Sequence, residues 1–92
     1  MSKTVLTESF DVTRNGVDWE VYCSVTYDGK QYTIDVHVEE KTGWFKKGEK
    51  YNDRTVVNTQ QDIENGIQDM LDLLFEFDEE VRTARELDIT VE

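Results

Sequence analysis

The chain has 92 residues, a net charge of −11 from 10 Lys plus Arg against 21 Asp plus Glu, and 37% hydrophobic residues. That length serves one modest core, and ten aromatic side chains (2 Trp, 4 Tyr, 4 Phe) argue against disorder. The acid excess argues against general binding of nucleic acid or anionic membrane, which requires Lys and Arg to neutralise phosphate.

No apolar run approaches the ~18 residues of a membrane span, and no apolar signal segment follows Met1-Ser2-Lys3-Thr4. The single Cys23 cannot form an internal disulfide, which points to a reducing, cytoplasmic setting, the host cytoplasm if the chain is phage-encoded. Residues 1–92 read as a single domain: a β-meander over 1–41, a loop or short fourth strand over 42–58, and an acidic helix over 59–88.

Asn15-Gly16 and Asp28-Gly29 each sit between alternating segments, and both dipeptides suit the φ > 0 positions of a type I′ hairpin turn. Between them Val17, Trp19, Val21, Cys23, Val25 and Tyr27 alternate with polar residues, the period of a strand with one buried face. The pattern predicts strands near 4–13, 17–27 and 30–40. Two-residue turns pair Leu6 with Val25, Phe10 with Val21 and Val12 with Trp19. Across the second turn they pair Val25 with Tyr32, Cys23 with Ile34, Val21 with Val36 and Trp19 with Val38. Glu8 alone breaks the apolar face, opposite Cys23: one reading is a carboxylate buried to raise its pKa, and the favoured ones are a bulge in an edge strand that turns it out or an inward charge that discourages edge pairing.

Residues 42–58 mix Trp44, Phe45 and Tyr51 with lysines. Lys47-Gly48 is a candidate turn and 51–57 a candidate strand, with the aromatics capping one end of the core.

Ile63, Ile67, Met70, Leu74, Phe77, Val81 and Ala84 recur at steps of three and four, one stripe of a helix near 60–87 that closes an α+β core over the sheet. Thr59 and Asp62 resemble a capping signal. Gly66 on the flank of the stripe implies close approach to a sheet side chain. Phe75 and Leu87 fall off the stripe and are expected at the surface. A helix over 59–88 would be about 45 Å long against about 33 Å for ten-residue strands, so its last turns are expected to overhang, to kink near Asp78, or to meet another chain.

Catalytic chemistry finds no foothold. His37 and Cys23, the only residues of their kinds, fall on opposite sheet faces, so they make no nucleophile–base pair and too small a ligand set for a metal. No cofactor motif is present, and the expectation is a non-enzyme. A meander followed by a helix resembles the later part of a double-stranded-RNA-binding domain, but the first helix is missing and Asp62 and Glu64 stand where basic residues would be needed.

The acids are patterned. Residues 59–92 hold eleven acids and two bases, a net of −9. Asp69, Asp72, Glu76, Glu79 and Glu86 form a stripe opposite the apolar one. On the outer sheet face the register opposes Asp11 to Glu20 and Asp18 to Glu39, and sets Asp35 beside Tyr22 and His37 beside Glu20. Like charges so opposed cost about 0.2–1 kcal/mol each. The partner-binding candidates are therefore Asp69, Asp72, Glu76 and Glu79 on the helix and Asp11, Asp18, Glu20 and Asp35 on the sheet.

In size, acidity and lack of catalytic groups the chain resembles the small phage-encoded inhibitors of host nucleases, including anti-restriction and anti-CRISPR proteins. The resemblance is one of composition, and no motif residues carry over. It implies an acidic inhibitor or adaptor that mimics nucleic acid on a basic protein surface, without touching nucleic acid or membrane itself. The alternative is a structural protein that oligomerises, for instance as a homodimer, through its helix or a sheet edge.

Overall fold

The computed structural model describes residues 3–42 and 48–87. Strands β1 (Lys3–Arg14), β2 (Val17–Tyr27), β3 (Tyr32–Glu40) and β4 (Lys50–Val57) are followed by helix α1 (Asp62–Glu86). The strands form one antiparallel sheet in chain order, and α1 packs on one face, closest to β3 and β4. The architecture is the α+β meander plus helix, with the fourth strand present. Trp44, Phe45 and Lys47 lie outside the described residues. Tyr51 is half-buried against the core.

The first turn follows the local rule. Asn15 and Gly16 have φ of 55° and 78°, the left-handed pair that a type I′ hairpin needs. Its register pairs Leu6 with Val25, Phe10 with Val21 and Val12 with Trp19, as the alternation predicts. The second turn does not. Asp28 Oδ1 accepts the backbone N–H groups of Lys30 and Gln31, and the Asp28 N–H donates to the Gln31 carbonyl. This Asx-type closure makes the loop four residues long, 28–31. The register moves two residues: Val25 faces Ile34, Cys23 faces Val36, Val21 faces Val38, Trp19 faces Glu40 and Tyr27 faces Tyr32. A shift of two preserves the face of every side chain, so the core assignment survives although each pairing across that turn changes.

The inner face and the helix make the core. Trp19, Val21, Cys23, Val25, Ile34, Val36 and Val38 are buried with Ile67, Met70, Leu71 and Phe75. Gly66 permits the close approach its position implies: a Cβ there would lie 3.0 Å from Ile34 Cδ1 and 3.4 Å from Val57 Cγ1. The helix begins two residues later than expected. Thr59 Oγ1 donates to Asp62 Oδ2 at 2.7 Å, a side-chain to side-chain contact rather than a backbone cap.

The rotation of α1 differs from the one its apolar spacing predicts. Phe75 is buried at 3% exposure, whereas Phe77 is 47% exposed. Asp78 occupies the inner stripe in place of Phe77. The helix is a single element of 25 residues, or about 37 Å. β3 and β4, on which it packs, have 9 and 8 residues, about 30 and about 26 Å, so the helix overhangs them, one of the three expected outcomes, as a single unbroken element.

Glu8 pairs with Cys23 and is exposed. The β1 irregularity lies between Thr4 and Leu6, three residues upstream, so a bulge is not what exposes Glu8. It is open because α1 lies over β3 and β4 and leaves the inner face of β1 uncovered.

Trp19 stands where these constraints meet. It is 1% exposed, with ring centroids 5.3 Å from Phe75 and 6.0 Å from Tyr51. Trp19→Ala should destabilise the protein by about 3–5 kcal/mol, read as a lower denaturant midpoint. An unchanged midpoint would contradict the packing.

Candidate interaction surface

The helix is fixed to the sheet by a buried polar cluster. The Tyr51 hydroxyl donates to Asp78 Oδ1 at 2.8 Å, and Arg82 Nε donates to Asp78 Oδ2 at 2.7 Å. Arg82 Nη2 reaches Glu40 Oε1 on β3 at 2.6 Å, and its guanidinium lies 5.8 Å from the Trp19 ring centroid. Asp78 is 5% exposed, a site that tolerates a carboxylate only because both its oxygens are satisfied. Burial first, then the hydrogen bond to Asp78, raises the pKa of the Tyr51 phenol. The Asp78 carboxylate, then Glu40, raises that of the Arg82 guanidinium. One turn on, Arg85 donates to Glu49. Both cations of the helix are therefore engaged by carboxylates from outside it, Arg82 half-buried and Arg85 exposed.

The cluster was hidden from the apolar count because Asp78 reads as surface. Its one legible trace is the spacing of Asp78 and Arg82, an i,i+4 pair on a helix.

The predicted helix acids all lie at the surface. Asp69, Asp72, Glu76 and Glu79 are exposed. Asp72 pairs with Arg14 at 3.2 Å, and Glu79 accepts from the Asn15 side chain, so these two lean toward the β1–β2 turn. Asp69 and Glu76 have no hydrogen bond or ion pair among the described residues. With Glu80 they form an outward ridge in which Arg14 is the nearest paired cation.

The outer sheet face carries the other predicted set, in a different arrangement. Asp11 faces Glu20 as predicted, but Glu20, not Asp18, faces Glu39. His37 faces Tyr22, and Asp35 faces Ser24 and Arg54. The face is largely neutralised from within. Lys41 pairs with Asp11 at 2.7 Å, and its ammonium is held above its ordinary pKa by Asp11, then by Glu20 and Asp18. Arg54 Nε meets Asp35 at 2.6 Å. Asp18 accepts from Thr13 Oγ1 at 2.7 Å. His37 and Lys50 flank Glu39 at 2.9 and 3.9 Å, and the hydrogen bond from His37 lowers the pKa of that carboxyl.

The exposed acids of α1 present negative charge to solvent. Cys23 faces the core, where burial, then Glu8, raises the pKa of its thiol and suppresses the reactive thiolate. His37 sits on the other face, in a shallow depression with Ser9, Tyr22 and Asn52. Among the described residues no three His, Cys, Asp or Glu side chains gather with the spacing of a metal site, and no helix is long and apolar enough to cross a membrane.

Two outcomes test the buried cluster. Asp78→Ala should cost about 2–3 kcal/mol, below the roughly 3–5 kcal/mol of a fully buried pair, because Arg82 is 30% exposed and keeps Glu40; equilibrium unfolding checks it. The raised Tyr51 pKa means that stability is full below the ordinary phenol range near pH 10 and is lost as pH rises through the folded value. An alkaline absorbance titration should show Tyr51 ionising late, together with unfolding, and Tyr51→Phe should remove that late phase.

Comparison of the chain with family models, curated proteins and solved structures returns no match.

Proposed function

We propose that the protein is a non-enzymatic inhibitor or adaptor that binds a basic surface of another protein, and that the outward ridge of α1 makes the contact, competing there with nucleic acid. The observation that carries this reading is the division of charge within the helix. Arg82 and Arg85 are engaged with Asp78, Glu40 and Glu49, while Asp69, Asp72, Glu76, Glu79 and Glu80 are exposed on the other side. Acids at steps of three and four advance roughly 4.5–6 Å along the helix, a coarse match to phosphates about 3.4 Å apart along one strand of duplex. The outer sheet face is the weaker candidate, because Lys41, Lys50 and Arg54 already pair with its carboxylates.

The fold should tolerate the test, since the ridge lies away from the buried stripe and the contacts it loses, Asp72 with Arg14 and Glu79 with Asn15, are solvent-exposed. Partners are captured from host lysate on the immobilised protein, and their retention is compared at low and high salt and against added duplex DNA. Reversing Asp69, Asp72, Glu76 and Glu79 to Lys should abolish salt-sensitive, DNA-displaceable capture. Reversing Asp11, Asp18, Glu20 and Asp35 should reduce it little. If neither variant changes capture or its salt dependence, the acidity serves solubility and the proposal fails.

The second reading, self-assembly through the helix, rests on Leu73 and Phe77, which are 60% and 47% exposed at i,i+4 spacing. Its mark is a rise in mass with concentration that salt does not reverse.

A further inference from the structure

A four-stranded sheet at ~4.8 Å spacing presents a face about 19 Å wide, while one helix is about 10 Å across. A single helix therefore leaves part of it uncovered. In this protein α1 lies closest to β3 and β4, the inner residues of β2 are buried as well, and the inner face of the edge strand β1 is the part left over. The exposures follow this division. Val21 and Val38, inner-face neighbours of Phe10 in the cross-strand row, are fully buried, whereas Phe10 is 37% exposed. Val5 is 46% exposed, and Leu6 and Val12 are only half-buried.

Between β1 and the first half of α1 runs a groove of about 560 Å³, with Leu6, Phe10 and Tyr32 on one side and Ile63 and Ile67 on the other. We propose that this groove seats an amphipathic helix of a partner protein, apolar on one face and edged with Lys or Arg. The proposal rests on the reading above that the partner is basic, and it adds the place where that partner is anchored.

Charge selects the occupant. The ionisable residues in the wall are Glu8 on β1 and Glu64 on α1, together with the phenol of Tyr32, and the other polar groups are the amides of Gln60 and Gln68. No Lys or Arg lines it. A second copy of this chain would bring its own −11 against these carboxylates, and like-charge juxtaposition disfavours that pairing. A cationic edge meets Glu8 and Glu64 instead. The form of the occupant follows from the layer: a second helix laid along the edge strand β1 would pack beside α1 at the usual separation of about 8–10 Å. Its apolar residues at i, i+3 or i+4, and i+7 would cover Phe10, Leu6 and Ile63, the helix-in-groove mode of recognition. The ridge then speeds encounter by long-range attraction, and the groove supplies the desolvated apolar contact that sets how long the complex lasts.

The probe is a synthetic amphipathic peptide of Leu and Lys, ~18 residues or about five helical turns, compared with a peptide of the same composition scrambled so that its leucines share no face. Binding is measured by titration calorimetry at low and high salt, and amide shifts are mapped by NMR. The amphipathic peptide should bind at least about tenfold tighter than the scrambled one. It should shift amides of β1 and of the first half of α1. The double variant Val5→Ser, Phe10→Ser changes side chains that are 46% and 37% exposed; it should stay folded with a modestly lower thermal midpoint while weakening high-salt binding about tenfold. Glu8→Lys should weaken it as well.

Equal affinity for both peptides, amide shifts confined to Asp69 and Glu76, or full affinity in the double variant would each overturn the inference while leaving the ridge proposal standing. A salt-independent doubling of mass, lost in the double variant, would also overturn it, because a second copy would then fill the groove. Loss of high-salt binding in the double variant with no effect of reversing the ridge would support the groove and defeat the ridge.

Discussion

The Arg82 guanidinium is held between a carboxylate of its own helix, Asp78, and one from the sheet, Glu40, with Tyr51 completing the Asp78 shell. This polar joint sets the rotation of α1 about its axis. With Asp78 turned inward, Phe75 comes to lie against Trp19 and Phe77 moves to the flank, edge-on to Tyr51 at 5.5 Å. Phe75 and Phe77 lie about 200° apart around the helix, so only one of the two faces Trp19 in any rotation. With Asp78 inside, its bonds to Tyr51 and Arg82 hold it in this rotation, because loss of either partner would leave a buried carboxylate incompletely satisfied.

The same joint determines what the molecule presents to solvent. The helix carries its two arginines at residues 82 and 85, and both reach down to carboxylates near the β3–β4 end of the sheet. The far side is left to carboxylates. The sheet shows the opposite economy, its acids and bases interleaved on one face. The net charge of −11 is thus an average over one surface that is nearly balanced and one that is strongly negative.

Much of the fold was legible in the residues. Asn15-Gly16 specifies its turn by conformation alone, and the register that follows from it is the observed one. Gly66 correctly signals a close contact with Ile34. Asp28-Gly29 misleads because the Asp28 carboxylate competes for backbone N–H groups and lengthens the loop. The error costs every pairing between β2 and β3 and no face assignment, since strand faces repeat every two residues. The helix misleads for another reason: a hydrophobic count gives Asp78 no place in the interior, and the partners that admit it, Tyr51 and Glu40, are distant in sequence. The ridge acids were legible as a helical stripe. The neutralisation of the sheet acids was not, because Lys41 and Arg54 reach their partners through pairings that depend on the shifted register or on β4.

The order of strands across the sheet repeats their order along the chain. Each strand therefore finds its neighbour in the segment just before it, and three short closures assemble the whole sheet, the kind of local connectivity that favours rapid folding. The cover comes last along the chain. Until α1 docks, Trp19, Val21, Ile34, Val36 and Val38 form a continuous apolar face open to water, and such transient faces are where partly folded chains adhere to one another. The −11 charge acts throughout this interval, because mutual repulsion of like-charged chains needs no finished structure. Acidity thus keeps neighbouring molecules apart during the one stage of assembly at which this topology leaves them adhesive.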